Sequence, residues 1–311
     1  PFLQITTLPF RIQYIIMRVA HSWTDKTATI RLEGLAKPIR MVHITDTHVA
    51  LIDNRDSEYE EASQSSCETF RTKRRTDNGK IIPSEMTFIE VIDEVRSLNP
   101  DLLALTGDII HFPSQANLDH VTEALSRLKT PILYTAGNHD WHFPGEEGRA
   151  VLREASWPLL TPLHHGKPAF NCYTDGGIQW LTIDNSTYQV TEEQLRAVED
   201  SLKNSIPTVL LMHIPLSLPT LRDVTQARFR APILMGDPDW DIESREKWGA
   251  GNDLESTLEF VSVVTSARNL IAVFCGHIHF PHADAMGPAS VQYVGAPGFE
   301  KAIRVVDFFP M

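Results

Sequence analysis

The chain has 311 residues, of which 42% are hydrophobic and 22% are charged, and its formal net charge at pH 7 is -12. A chain of this length and apolar content can bury a large core, which excludes an intrinsically disordered protein. The excess of acidic residues argues against a general nucleic-acid-binding protein and against binding to anionic membrane surfaces, so we expect neither partner.

The cysteines and the N-terminal residues indicate the cellular compartment in which the protein is expected. Cys67, Cys172 and Cys275 are few and widely spaced, which is typical neither of a disulfide framework nor of a cysteine zinc site. This pattern favours a reducing compartment, and we expect a cytoplasmic protein. Residues 2–17 are mildly apolar but lack the core of a signal peptide. We interpret Met17 as the natural start, with an N-terminal strand as the alternative.

Short apolar runs alternate along the chain with patterns of helical period. The predicted strands span residues 41–44, 102–105, 131–135, 179–183, 208–212, 271–275, 291–294 and 302–309. The predicted helices are 85–98 with Ser84 as its cap, one marked by Leu118, Val121, Leu125 and Leu128, one running from the capping box Thr191–Gln194 to Leu202, and 254–264. This alternation predicts an α/β fold with helices on both faces of a sheet.

The distribution of polar motifs, from residue 46 to residue 279, predicts one domain over 37–311. Residues 1–36 would form an N-terminal extension, partly non-native, and a first strand. Insertions are expected at about 52–82 and 216–251. The first is highly polar and is interpreted as a loop or an exposed helix, and the second is irregular and rich in Pro and Trp.

Polar motifs with metal-ligating residue types follow the predicted strands. In chain order they are Asp46-Thr47-His48, Gly107-Asp108, Gly137-Asn138-His139-Asp140, the single His213, and Gly276-His277-Ile278-His279. Ligands of open α/β sheets bind at the carboxyl ends of the strands, so these side chains are expected at one site. Carboxylates and imidazoles together suit Mn, Fe or Zn. The ligands suffice for two metals if one carboxylate bridges, and Asp108, alone on its strand, is the candidate.

The order of these five motifs resembles the calcineurin-like metallophosphoesterase superfamily, in particular its bacterial phosphodiesterase-like branch, over about residues 40–300. The resemblance implies a four-layer αββα sandwich with two mixed sheets and a dinuclear metal site at the carboxyl ends of the strands. It implies that Asp46, His48 and His279 hold the first metal, that Asn138, His213 and His277 hold the second, and that Asp108 bridges them. His139 resembles the catalytic histidine of the family, and Asp140 is expected to fix its loop.

The resemblance also implies a chemistry. Two divalent or trivalent transition metals, Mn, Fe or Zn, about 3.5–4 Å apart would clamp a phosphoryl group and acidify a bridging water. The hydroxide would attack phosphorus in line with the leaving oxygen, to which His139 would donate a proton. The expected enzyme is therefore a dinuclear metal-dependent phosphohydrolase.

Differences between this sequence and other branches of the superfamily restrict the expected class of substrate. Residues 107–113 lack the arginine of protein Ser/Thr phosphatases, which argues against that class. His111 stands where purple acid phosphatases carry a metal-binding tyrosine. It would approach the first metal or the substrate, or lie behind the ligands. Trp141 and His142 would line the substrate cleft, or Trp141 would pack under the loop.

We therefore expect hydrolysis of small phosphodiesters, similar to cyclic nucleotides or glycerophosphodiesters. The alternatives are a phosphomonoesterase or nucleotide pyrophosphatase, a nuclease, which the net charge disfavours, and a non-catalytic binding scaffold on the same fold. Scaffolds of this fold generally lose the metal ligands or the catalytic histidine, and this chain has both.

Both insertions follow strand ends that carry predicted ligands, so both should lie near the metals and form the rim of the site. The basic cluster Lys73, Arg74 and Arg75 would attract an anionic substrate or is a solvated surface run. The remaining histidines are expected to be structural: His21, His43, His120, His164, His165 and His282.

Overall fold

The computed structural model describes residues 18–164 and 166–311, so Met17 and His165 lie outside the described residues. The described residues contain fourteen strands: β1 (Val19–Trp23), β2 (Thr27–Leu32), β3 (Ile39–Ile44), β4 (Arg74–Arg75), β5 (Ile81–Ile82), β6 (Leu102–Thr106), β7 (Ile132–Thr135), β8 (Phe170–Asp175), β9 (Ile178–Ile183), β10 (Thr208–Leu211), β11 (Leu270–Cys275), β12 (His282–Met286), β13 (Ser290–Val294) and β14 (Arg304–Pro310).

Eight α-helices connect these strands in the described parts of the chain. They are α1 (Glu60–Thr72), α2 (Ser84–Leu98), α3 (Gln115–Leu125), α4 (Val151–Leu160), α5 (Glu192–Leu202), α6 (Pro219–Phe229), α7 (Ile242–Lys247) and α8 (Glu255–Ser266). Two short 3-10 helices cover Asn54–Tyr59 and Gly298–Glu300. No helix between residues 18 and 311, residue 165 aside, combines the length and apolarity needed to cross a bilayer.

Two six-stranded sheets form the centre of the fold. The first has the order β1-β2-β14-β3-β6-β7 and the second the order β12-β13-β11-β10-β9-β8, while β4 and β5 pair separately. In the first sheet β3, β6 and β7 are parallel and β14 runs antiparallel to β3. In the second, β9, β10, β11 and β13 are parallel, with antiparallel strands at both edges. The prediction of two mixed sheets is confirmed.

The layers follow from the alternation of side chains along strands that are buried on both faces. Met41 and Leu102 contact the core between the two sheets, whereas Val42 and Leu103 contact the core under the outer helices. Helices α2 and α3 cover the first sheet through residues such as Phe88, and α5 and α8 cover the second. The result is the four-layer αββα sandwich that the resemblance implied.

Each predicted strand is present within two residues of its expected bounds. The capping box is confirmed, because Thr191 and Gln194 exchange both of their hydrogen bonds. The prediction that Ser84 caps α2 is wrong. Pro83 holds the capping position with an extended backbone, and Ser84 is already helical with its hydroxyl buried. Helix α3 ends at Leu125, so Leu128 lies beyond it.

The segments expected as insertions are ordered by specific contacts. The first contains α1, and Tyr59 stacks on Phe143 with ring centroids 3.8 Å apart. The second contains α6 and α7, and its buried Arg245 pairs with Asp253 at 2.7 Å. Residues 18–36, expected to hold a first strand, contain both β1 and β2.

Packing between the sheets is tested by Trp180, which is 2% exposed and meets Phe308 of the opposite sheet edge to face at 5.4 Å. Trp180→Ala should lower the free energy of unfolding by about 3–5 kcal/mol, because it leaves a cavity between the sheets. Tyr173→Ala on β8 is the control, since this ring is 39% exposed and its loss should cost about 0.5 kcal/mol or less. Urea titrations measure both, and equal losses would contradict this account of the core.

Candidate metal centre

The carboxyl ends of five strands converge where the two sheets face each other. The first sheet supplies side chains after β3, β6 and β7, and the second supplies side chains after β10 and β11. The loops after β3 and β6 stay paired, because the backbone N–H groups of Asp46 and His48 donate to the carbonyls of Gly107 and Asp108. The predicted ligands lie in these loops: Asp46, His48, Asp108, Asn138, His213, His277 and His279.

Six of these residues form two groups that share Asp108. Asp46, His48, Asp108 and His279 form one group, and Asp108, His213 and His277 form the other, with the donor atoms of each group within 4.8 Å of one another. His48 Nε2 lies 3.6 Å from Asp108 Oδ2, His279 Nε2 lies 3.4 Å from Asp46 Oδ1, and His213 Nε2 lies 3.2 Å from Asp108 Oδ2. This arrangement is the one in which Asp108 would bridge two metals.

Nitrogen and oxygen donor atoms converge where a pair of cations would lie. His48 Nε2 and His279 Nε2 lie 3.0 Å apart; His48 Nε2 is 3.9 Å from Asp46 Oδ1 and 3.6 Å from Asp108 Oδ2, and His279 Nε2 is 3.4 Å from Asp46 Oδ1. Asn138 Oδ1 is buried without a hydrogen-bond partner among the described residues. Buried polar atoms are usually paired, so convergent lone pairs of this kind indicate a ligand. The mixture of imidazole nitrogens with carboxylate and amide oxygens suits Mn, Fe or Zn.

His213 is oriented by the strand beside it. Its Nδ1 lies 2.7 Å from the carbonyl oxygen of Thr106, which can only accept, so Nδ1 is the donor and Nε2 faces Asp108. This contact requires Gly107, whose φ is +82° and where a Cβ would lie 2.6 Å from His213 Nδ1. A ligand histidine that donates its other nitrogen to a carbonyl is typical of metal sites.

Both acidic side chains are buried and surrounded by donors. Thr45 Oγ1 donates to Asp46 at 2.8 Å, and the N–H of His139 donates to Asp108 Oδ1 at 2.9 Å. Burial raises the pKa of Asp108, but His213 and His139 outweigh it and hold that pKa well below its usual range. Burial lowers the pKa of His213, yet the Asp108 carboxylate raises it more, to about 9. A cation at this carboxylate would compete with that proton.

Five of the predicted ligands have a backbone in the left-handed region, which residues other than glycine rarely adopt. The φ angles are +53° at Asp46, +42° at His48, +53° at Asp108, +74° at His277 and +53° at His279. Each such residue costs on the order of 1–3 kcal/mol and persists only where its surroundings fix it. Strain concentrated at one cluster points to a functional site.

Asp140 ties the loops after β6 and β7 together, as expected. Its carboxylate accepts from the N–H groups of Asp108 at 2.9 Å, Ile110 at 3.0 Å and Gly137 at 2.7 Å. Burial and the nearby Asp108 raise the pKa of Asp140 to about 7. Its role is therefore to hold the loop that carries Asn138.

His139 lies beside the two groups and lines a cavity of about 200 Å³. Its ring stacks on His111 with centroids 4.4 Å apart, and together with His48 these rings form a further cluster of three histidines. Burial lowers the pKa of His139 to about 4, although Asp108 opposes that shift. The ring is therefore neutral at pH 7 in the absence of a bound anion.

The three predicted substrate contacts all lie near the centre. His111 Nδ1 is 2.9 Å from His48 Nδ1, so His111 contacts a predicted ligand from behind. Trp141 and His142 line the cavity with His139. Trp141 is also buried under its loop and donates to Ser186 Oγ at 3.0 Å, and its contact with a substrate stays a prediction.

Both segments predicted as insertions place aromatic side chains near the centre. Phe70 of α1 stacks on His48 at a centroid distance of 4.6 Å and an interplanar angle of 17°. Trp248 of the second insertion lines the cavity. Within the basic cluster, Arg74 is paired with Glu90 at 2.9 Å, whereas the Lys73 ammonium lies 5.9 Å from the Phe70 ring centroid.

Sequence reasoning missed Phe70, Tyr188 and Trp248, all of which lie at the site. Tyr188 OH is 2.8 Å from His277 Nε2. None of the three belongs to a motif, and only their place after strand ends could have singled them out. The other histidines within the described residues make structural contacts, for example His43 with Thr106 Oγ1 at 2.7 Å.

The chain is similar to known proteins. A family model described as calcineurin-like phosphoesterase matches residues 39–281. A probable cyclic nucleotide phosphodiesterase of Moraxella catarrhalis is 24% identical over 220 residues, which cover 70% of this chain and 73% of that protein. A protein of the same description from a Synechococcus species is 23% identical over 215 residues, covering 67% of this chain and 68% of that one.

Among solved structures, the purple acid phosphatase PPD1 of yellow lupin is similar with a TM-score of 0.50 and 13% sequence identity. The likeness covers 87% of this chain and 47% of that one, and at this identity it concerns the fold alone. The family model spans well over half of the chain and contains all five motifs. The chain therefore belongs to the calcineurin-like phosphoesterase family of dinuclear metal-dependent phosphohydrolases.

Proposed function

We propose that this protein hydrolyses small phosphodiesters, with cyclic nucleotides as the favoured class. The observation that carries the proposal is the pair of donor groups sharing Asp108 beside a cavity of about 200 Å³ that contains His139. The lining of this cavity combines aromatic side chains, Trp141 and Trp248, with a few polar groups, which is typical of sites for small ligands. The names of the two bacterial relatives support the choice of a cyclic diester.

The residues would divide the work as follows. Asp46, His48 and His279 would hold one ion of Mn, Fe or Zn, Asn138, His213 and His277 would hold the other, and Asp108 would contact both. When bound, the ions supply positive charge for the phosphoryl oxygens and an activated water as nucleophile. The buried carboxylates, the imidazole nitrogens and the unpaired Asn138 Oδ1 would keep this charge in place.

His139 would act on the leaving oxygen. Its ring stacks on His111, and its backbone N–H donates to Asp108 Oδ1. In the neutral state an imidazole N–H donates a hydrogen bond to the leaving oxygen. If the ring is protonated when the substrate is bound, it would donate the proton itself to the leaving oxygen.

The substrate would enter from the side of Trp248. Phe70 covers the ring of His48, so this face of the centre is closed by α1. The cavity lies between the loop of Trp141 and His142 and the second insertion, which contributes Lys247 and Trp248. A base on the exposed indole and a phosphate at the centre would match this shape and polarity.

The metal content tests the centre. The reconstituted protein should bind about two ions per chain. Asp108→Asn should lose both, because the substitution removes the carboxylate shared by the two groups. Asp77→Asn, at an exposed position, is the control and should keep both. Elemental analysis measures the content. Less than half an equivalent in the wild type, with activity unaffected by chelators, would reject the centre.

The role of His139 is tested by substrates with different leaving groups. His139→Ala should keep the metal content and lower turnover of alkyl phosphodiesters about 10²–10⁴-fold. The loss should be smaller for p-nitrophenolate, which needs little protonation to leave. His120→Ala, whose ring contacts the carbonyl of Glu85 on the outer helices, should change neither. Equal losses on both kinds of substrate would argue against donation to the leaving oxygen.

The substrate class is tested by comparing cyclic nucleotides, a glycerophosphodiester, bis(p-nitrophenyl) phosphate and p-nitrophenyl phosphate, each with Mn, Zn and Fe. Diesters should be preferred in kcat/KM. Trp248→Ala should raise KM for cyclic nucleotides about 5–100-fold through lost base stacking, and should leave the glycerophosphodiester nearly unchanged. Trp23→Ala, exposed to a similar extent at 45% against 41%, is the control. A preference for the monoester would overturn the proposed class.

A further inference from the structure

The ring of His277 has a tyrosine as its hydrogen-bond partner. Tyr188 OH lies 2.8 Å from His277 Nε2, and the two rings meet edge to face with centroids 5.3 Å apart. Both side chains are buried. A neutral imidazole has one N–H and one lone pair. While Nε2 contacts the tyrosine hydroxyl, Nδ1 is therefore the nitrogen left for a metal.

Tyr188 is held in place independently of His277. It sits in a turn after β9 with a left-handed φ of +64°, and its N–H donates to the carbonyl of Asn185 at 2.8 Å. Asn185 Oδ1 in turn accepts from the N–H of His213 at 3.0 Å. Trp240 packs edge to face against the tyrosine ring at 5.3 Å. These contacts fix the position of the Tyr188 hydroxyl, which can therefore orient the ring of His277.

The backbone of His277 is fixed as well. Its N–H donates to the Asp46 carboxylate at 3.1 Å, so only the ring can adjust. If Nε2–H donates to the hydroxyl oxygen of Tyr188, Nδ1 keeps its lone pair. If the hydroxyl donates instead, Nδ1 carries the proton and His277 leaves the ligand set. The tautomer of this one ring thus decides whether the group of Asp108, His213 and His277 is complete.

We propose that Tyr188 is a positioning residue that stabilises the Nε2–H tautomer of His277 and thereby raises the affinity of this centre for its metal. The inference rests on the proposed function, because it needs His277 as a ligand. Without the hydroxyl, the metal-bound form would bury an unpaired Nε2–H. The metal-free form avoids this cost by moving the proton to Nδ1, so the cost falls on metal binding.

Tyr188→Phe tests this in the 311-residue chain, with Tyr293→Phe as the matched control. Tyr293 is also a buried tyrosine, and its hydroxyl lies 3.0 Å from His21 Nδ1, away from the centre. Zn²⁺ affinity of the metal-free proteins is measured by competition with a chromophoric chelator. We expect Tyr188→Phe to weaken binding of one equivalent about 10–100-fold and Tyr293→Phe to leave both equivalents unchanged.

A double-mutant cycle separates positioning of His277 from general support of the fold. In a His277→Ala background, Tyr188→Phe should cause no further loss of affinity. An equal loss in that background, or unchanged or tighter Zn²⁺ binding in Tyr188→Phe alone, would overturn the inference. If the wild-type chain binds no metal, the proposed function itself fails. If the wild type binds two ions and Tyr188→Phe binds both as tightly, only this inference fails.

Discussion

The burial of two carboxylates, Asp46 and Asp108, is the constraint on which this site depends. They are 0% and 1% exposed, and a buried charge is costly unless other groups compensate it. Backbone N–H groups of His277 and His139, the Thr45 hydroxyl and a ring of imidazoles provide that compensation. To deliver these donors the loops must turn sharply, which accounts for the left-handed residues at the strand ends.

Stability and function are coupled, because neither sheet holds a complete centre. Asp46, His48, Asp108 and Asn138 follow strands of the first sheet, whereas His213, His277 and His279 follow strands of the second. The two groups that share Asp108 exist only when the sheets pack face to face. Trp180 and Phe308 contact each other across the two sheets and help to hold them face to face.

The sequence predicts the sheets and the motif residues well, because both depend on local pattern. An apolar run followed by a polar motif marks the carboxyl end of a strand, and parallel strands bring such ends to one edge. Phe70, Tyr188 and Trp248 could not be predicted this way, since tertiary packing of the insertions and turns places them. The prediction that Ser84 caps α2 was wrong because Pro83 already supplies the extended backbone that precedes the helix.

The rings of the predicted ligand histidines have different kinds of hydrogen-bond partner. His213 uses a backbone carbonyl, His48 uses His111, and His277 uses Tyr188. A carbonyl can only accept, so the tautomer of His213 is fixed by the fold itself. A histidine or a tyrosine can either donate or accept, so these two partners depend on side chains from outside the motifs. The two segments predicted as insertions also contribute side chains from outside the motifs. Phe70 stacks on His48 on one side of the site, and Trp248 lines the cavity on the other. The family motifs thus contain the predicted ligands, whereas the side chains that contact the rings of His48 and His277, and those that cover or line the site, lie outside the motifs.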